Sequence, residues 1–380
     1  MNLAPALAVA ALLSLLPACR AAETATAGDS APAHRAAGTG LVALAAMPSP
    51  RAAHSATLLS DGRVLLAGGC TADGCEEGIA GDALLFDPTS LAFSQAGNLV
   101  QPRVGHRAVA LADGSVLLLG GHTAEGPTAL VERYDPASRQ FSIHGRLLEA
   151  RDGFSATVLA DGSVLVAGGY AAGMRRLASA ERYDTTSGRP APAGAMSTPR
   201  MSHTATLLGD GRVLLAGGSR SRSEVTAGVD LFDPASNTFS PAGELARARH
   251  KHAAVAIGGR VLLVGGAGIP EAQDHFRDSE WWGPDGIAAG PRMQLGRYKF
   301  LDAVAPLADG SVLVAGGGAH AERLDAAGTA FHPVDGAIGT ALAFSSSTVL
   351  ADGRVLVAGG YDPDIRVSRQ AWLLPFPIAD

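Results

Sequence analysis

One nine-residue phrase recurs along the chain and limits what it can fold into. It reads DGRVLLAGG at 61–69, DGSVLLLGG at 113–121, DGSVLVAGG at 161–169 and DGRVLLAGG at 210–218. It returns as GGRVLLVGG at 258–266, DGSVLVAGG at 309–317 and DGRVLVAGG at 352–360, which makes seven copies. The glycine pairs lie 52, 48, 49, 48, 51 and 43 residues apart. A period of about 50 residues with a double glycine marks a propeller-type array. The 380 residues would otherwise suggest two or three domains, but a closed array of repeats is one domain.

Each copy has a physical reading. An apolar strand such as 54–59 or 203–208 leads into Asp-Gly, where glycine takes a positive φ without steric cost and closes a tight hairpin. The next run, Val64-Leu65-Leu66-Ala67 in the first copy, is apolar throughout, the pattern of a strand buried on both faces. A double glycine ends it where a side chain would block close backbone approach. After a variable loop, a third strand ends in Leu85-Phe86-Asp87-Pro88, Arg133-Tyr134-Asp135-Pro136 or Leu231-Phe232-Asp233-Pro234. Asp-Pro starts another turn. A fourth strand then carries Phe93, Phe141 or Phe239. Four antiparallel strands make one blade, and a blade buries its faces only by stacking on neighbours around an axis.

This pattern resembles the kelch repeat, including its galactose-oxidase-like branch, over residues 41–377. The expected fold is all-β: a seven-bladed kelch-type β-propeller over 41–380. Two departures stand out. Kelch blades usually carry Trp in the fourth strand, where this chain has Phe, and the third repeat has Pro190 there. The seventh repeat holds three strands (347–350, 355–359 and 370–376), and 41–47 reads as an orphan fourth strand. The N-terminal strand is therefore expected to complete the last blade and close the ring.

Residues 3–16 are almost wholly apolar. That is too short for a comfortable transmembrane helix but fits the core of a secretory signal over 1–18. Leu16-Pro17-Ala18-Cys19 resembles a bacterial lipobox, which implies lipidation of Cys19, although Met1-Asn2 lacks the usual positive charge. Plain signal cleavage after Ala18 is the alternative. By the same resemblance, Arg20 in place of Asp points toward the outer membrane. Residues 19–40 then form a lipidated cysteine and flexible tether, rich in Ala, Thr, Gly, Ser and Pro. The expectation is an outer-membrane lipoprotein, held to the membrane by a lipid anchor only. In an oxidising compartment, Cys70 and Cys75 in one glycine-containing loop are expected to pair as a disulfide.

The first candidate site is a ring of cations. Arg51, Arg103, Arg151 and Arg200 stand ten residues before the Asp of their Asp-Gly turns; Arg249 and Lys299 fill the place in the fifth and sixth repeats. His54, His106, His203 and His252 follow three residues later, with Phe154, Asp302 and Ser345 elsewhere. In kelch folds this segment leads to a mouth of the central channel. Six cations there would suit a carboxylate, sulfate or phosphate. The simpler reading makes them blade fasteners, each arginine pairing with carboxylates or carbonyls of the next blade. A site breaks a repeat more often than it obeys one, which favours Lys299 and Asp302 as ligand-binding residues.

The loops after the double glycines are a second candidate. The fifth, from Pro270 through His275 and Phe276 to Trp281-Trp282, departs most from the consensus and carries aromatics in a chain with 5% of them. Aromatics beside carboxylates suit sugar stacking, though Trp282 aligns with the usual third-strand aromatic. For metal, the pairs His250/His252, His320/Glu322, His122/Glu125 and Asp362/Asp364 lack a specific spacing, and none is expected. Galactose oxidase holds copper with two Tyr and two His, one Tyr cross-linked to Cys. No matching constellation is read here, so no cofactor is expected. No phosphate loop, nucleophile elbow or zinc-protease helix occurs.

The net charge of -6 argues against a nucleic-acid partner. Apolar residues are 47% and charged ones 17%, too apolar for a disordered chain. Kelch relatives often bind proteins, so the expected role is a non-catalytic envelope scaffold, a monomer that binds a protein or a glycan. The alternative is an enzyme on a sugar or sugar acid at the channel mouth, since bacterial relatives include sialic-acid epimerases.

Overall fold

The computed structural model describes residues 40–75, 77–269 and 274–375. It contains seven four-stranded antiparallel sheets, arranged as blades about one axis. The first blade shows the plan. Its innermost strand is Ser55–Leu58, followed outward by Val64–Ala67, Asp82–Asp87 and Ala92–Asn98. Val64–Ala67 is buried along its whole length, as its unbroken apolar run requires. The outermost strand is mostly exposed.

The innermost strands of the seven blades touch in one closed cycle. Ser55–Leu58 meets Arg107–Ala110 on one side and Ser346–Val349 on the other. Separate apolar clusters fill the wedges between neighbouring blades; one joins Val64 and Leu66 of the first blade to Leu356 and Leu373 of the seventh. The seventh blade takes its outer strand from the chain's start. Val42 pairs with Leu373 and Ala43 with Trp372. The ring therefore has no open edge between first and last blades.

The aromatic pairs at the blade rims follow the repeat. Phe86 and Phe93, Tyr134 and Phe141, and Phe232 and Phe239 sit with ring centroids 5.0, 4.8 and 4.9 Å apart. The third blade starts its outer strand at Pro190, tolerated on an edge because no inner ladder bond is lost. Its Tyr183 bonds to His144 of the second blade instead, at 2.8 Å. Trp282 takes the expected register, opposite Val261, and its indole N–H donates to Ala242 O. Cys70 and Cys75 are joined as a disulfide in the first loop. Cys19 and the signal and tether segments fall outside the described residues, apart from Gly40.

Candidate functional site

The cationic ring of the sequence lies inside the blades. Arg51, Arg103, Arg151, Arg200 and Arg249 are buried. Each donates Nη1 to the carbonyl of its own blade's first paired glycine: Gly68, Gly120, Gly168, Gly217 and Gly265. Nη2 reaches a carboxylate at the start of the third strand: Asp82, Glu132, Glu181, Asp230 and Glu280. Most of these carboxylates also accept N–H groups of the incoming loop, as Glu132 does from Val100 and Gln101. The partners belong to the blade each arginine enters. These five residues fasten blades and do not face a ligand at the mouth.

The sixth place is a correction. Arg297, not Lys299, is buried against Glu322 at 2.9 Å and donates to Gly316 O. Two inserted residues, Leu301 and Asp302, shift the count, so the histidine position is filled by Phe300 rather than Asp302. Phe300 packs on Gly265 as His252 packs on Gly217.

The consensus histidines are latches between blades. His54, His106, His203 and His252 place Nε2 within 3.0 Å of Ser346, Ser55, Ser155 and Thr204, each in the preceding blade. Burial, with the charge of the nearby arginine adding to it, pushes His54 and His203 down to about 3. His106 and His252 are pushed well below the usual imidazole range for the same first reason. The rings stay neutral at physiological pH.

Above the latches runs a collar of seven residues with left-handed backbone: Ala53, Gly105, Gly153, Ser202, Lys251, Lys299 and Phe344, with φ from 50 to 67°. The N–H of one donates to the carbonyl of the previous one around the axis, as Lys299 does to Lys251 and Phe344 to Lys299. The sequence is irregular between the second and third blades. There Gly153 N–H donates to Asp152 Oδ1 at 2.5 Å. Tyr170 donates to Asp152 Oδ2 at 2.6 Å and meets His122 Nδ1 at 3.2 Å. Burial raises the Asp152 carboxyl above its ordinary value.

Inside the collar lies an axial cavity of about 220 Å³. Ser55, Thr57, Ser155, Thr204, Ser346 and Ser347 give it a hydroxyl lining. Two charged groups enter it, and both break the repeat. Arg107 stands where four other blades carry Ser or Thr and two carry Ala, and the next blade has Phe154 in place of histidine. The latch is absent at that junction, and Arg107 Nε donates to Phe154 O instead. Asp302 sits on the sixth blade's inserted turn, held by Ser347 N–H to its carbonyl. Arg107 Nη1 lies 2.9 Å from both Asp302 carboxylate oxygens. The second and sixth blades are not neighbours, so this bond spans the mouth.

Lys299 is on the collar, its Nζ donating to Tyr361 Oη at 2.9 Å. Lys251 Nζ donates to Tyr298 Oη at 2.8 Å. These are the only two lysines of the chain. Sequence reasoning missed Arg107, Arg297 and the Asp152–Tyr170–His122 group. Arg107 had a signal: it is the charged exception in the column Ser55, Ser155, Thr204 and Ser346.

In the fifth loop, residues 270–273 lie outside the described residues. Asp274 and Asp278 both pair with Arg247, and the Arg247 guanidinium lies 3.4 Å from the Phe276 ring centre. Trp281 packs in a core cluster rather than at a sugar-binding surface. Among the described residues no three His, Cys, Asp or Glu side chains converge as a metal site.

With this geometry in view, the chain is a seven-bladed β-propeller of galactose-oxidase-like fold. It is similar to a novel fungal alcohol oxidase of the AA5 family solved in complex with copper, with TM-score 0.69 and 16% identity over 88% of this chain and 76% of that one. It is also similar to the structure of YjhT, with TM-score 0.60 and 12% identity over 88% of this chain and 97% of that one. No family model matches the chain. No curated protein matches it either. Among the described residues, none forms a copper site built on Tyr, His and a Cys-linked Tyr. The mouth phenols of Tyr298 and Tyr361 each face an ammonium group, and Cys70 and Cys75 are bonded to each other.

Proposed function

We propose that this chain is a kelch-type binding propeller that takes the acidic sugar end of a glycan at its axial mouth. The observation that carries the reading is the Arg107–Asp302 pair set across a hydroxyl-lined cavity. Asp302 is 58% exposed, and an exposed ion pair is worth about 1 kcal/mol or less. A ligand carboxylate therefore displaces Asp302 from Arg107 at small cost. Ser347, on the cavity wall, holds its hydroxyl buried with no partner in the structure. The cavity is small for a drug-sized ligand, which limits the occupant to about one sugar unit. The lipobox-like Leu16-Pro17-Ala18-Cys19 supports an outer-membrane location, where glycans are among the ligands within reach.

Calorimetric titration with glucuronate and N-acetylneuraminate, beside neutral glucose, tests this. Arg107→Ala should abolish acid-sugar binding, while Asp302→Ala should tighten it several-fold by removing the internal competitor. Equal affinity for neutral and acidic sugars, or an unchanged Arg107→Ala variant, overturns the reading. Labelling cells with a palmitate analogue tests the anchor, since Cys19→Ala should remove the label.

A second reading, turnover of the sugar acid, is favoured by one feature. Asp152, Tyr170 and His122 form a hydrogen-bonded group beside the mouth, with a raised carboxyl suited to hold a proton. Loss of product formation in Asp152→Asn with ligand affinity retained would select this reading over simple binding.

A further inference from the structure

A second cleft lies on the loop face between the third and fourth blades, away from the axis. It encloses about 470 Å³ and is lined by Arg176, Arg220 and Arg222, with Gly173, Met174, Pro199 and Ser221 completing its walls. Two loops build it. In the third-blade loop, Gly173 and Met174 both adopt left-handed backbone, at φ 68° and 60°. Arg176 Nη1 then donates to Met174 O at 3.1 Å. In the fourth-blade loop, Ser219-Arg220-Ser221-Arg222-Ser223 is held by its own bonds: Ser219 Oγ to Ser221 O at 2.6 Å, and Arg220 N–H to Glu224 O at 2.9 Å.

Three arginines therefore line one cleft, Arg176 half-buried and Arg220 and Arg222 exposed. Among the described residues none of them makes an ion pair, whereas the arginines at the blade junctions do so consistently. Arg176 Nε is buried with no partner. Burial pulls the Arg176 guanidinium below its ordinary value; Tyr170 opposes this and the charge of Arg222 adds to it. The chain as a whole carries a net charge of -6, so this positive cluster is local and runs against the overall field. Clustered like charge in a cleft costs free energy until an anion fills it.

We propose that this cleft is an anion site that takes a phosphoryl or sulfuryl group. Guanidinium forks bind such groups in pairs of parallel hydrogen bonds. Three forks offer more donors than the two oxygens of a carboxylate accept, and a tetrahedral group with three free oxygens matches them. The site is independent of the axial mouth: its residues belong to the third and fourth blades, while Arg107 and Asp302 belong to the second and sixth.

The test uses the mature protein, the variant Arg176→Ala/Arg220→Ala/Arg222→Ala, and a control with the same loss of charge, Arg139→Ala/Arg146→Ala/Arg189→Ala. Glucose 6-phosphate, glucose and inorganic phosphate are titrated by calorimetry. Vesicles of phosphatidylcholine with and without phosphatidic acid are tested by flotation. The expected result is binding of phosphate-bearing probes only, weakened roughly tenfold or more by the cleft variant and little by the control. Binding of the soluble phosphates without vesicles assigns a soluble or glycan-borne group; binding of phosphatidic acid vesicles assigns a lipid headgroup. No binding of any probe, or equal weakening in both variants, overturns the proposal. Should the cleft variant melt early, Arg→Lys at the same three positions keeps the charge while removing the forks. It should weaken binding at an unchanged melting temperature, and unaltered binding there counts against the site.

Discussion

His203 Nε2 lies 2.9 Å from Ser155 Oγ, a buried side-chain bond between the fourth blade and the third. The imidazole is buried and neutral, so the latch holds only while the ring stays uncharged. Three further junctions use the same device. Where a blade offers Ala253, the next offers Phe300, and the two share an apolar cluster. Hydroxyl with histidine and alanine with phenylalanine are alternative solutions to one packing problem.

Acid should therefore weaken the fold. The latch histidines have folded pKa values below their unfolded ones, so the unfolded chain binds more protons as the pH drops. Their stability is fully present above about 6.5, the ordinary histidine value. It is lost as the pH falls toward the folded value of about 3 of His54 and His203. The melting temperature should fall across this window. The pair Ser155→Ala/His203→Phe should flatten that slope. Calorimetric scans at stepped pH check it, and an unchanged slope in the double variant would reject the latch account.

Removing one half of a buried ion pair should be costly. Arg200 and Asp230 are both fully buried and 2.7 Å apart. Arg200→Ala leaves an uncompensated carboxylate, at a cost of about 3–5 kcal/mol. Adding Asp230→Ala to it should cost less than the two single changes summed. Urea unfolding midpoints of the four proteins give the comparison.

Two glycines of similar backbone should respond differently to alanine. Gly168 has φ 66°, and an added Cβ would sit 2.7 Å from both Arg200 O and His203 Cε1. Gly162 has φ 81° but open space around it. Both changes carry backbone strain of more than about 1 kcal/mol. Gly168→Ala should lower the urea midpoint clearly further, because a rigid backbone oxygen cannot yield.

Opening the ring should change its association state. A chain beginning at Met47 lacks Val42 and Ala43, the strand that covers Ala371–Leu374. The exposed edge should then pair with other copies, which light scattering after size exclusion will detect as oligomers. It should also broaden the melting transition. A monomer with an unaltered melt would mean that the strand is dispensable.

Much of the ring was legible because a repeat announces itself. The Asp-Gly turns, the unbroken apolar second strands and the unpaired segment at 41–47 needed only local chemistry and counting. The site was less legible, because counting fails where the repeat breaks. The two-residue insertion after Phe300 put Lys299 in a place that belongs to Arg297. It also made Asp302 look like a substituted latch, whereas the structure sets it on the wall of the axial cavity. Arg107 passed as one more arginine among many until its strand position set it beside the channel.

The amino-acid order by itself determined the blade, because turn and strand preferences act over a few neighbouring residues and recur with each copy. It also carried the likeness among the five consensus arginines. Only the tertiary structure decided that these arginines are sealed within the blades while Arg107 meets Asp302, 195 positions away, across the axis. Ring closure sets that meeting. Distance around a ring bears no relation to distance along the chain, so a contact across the mouth leaves no local trace in the sequence.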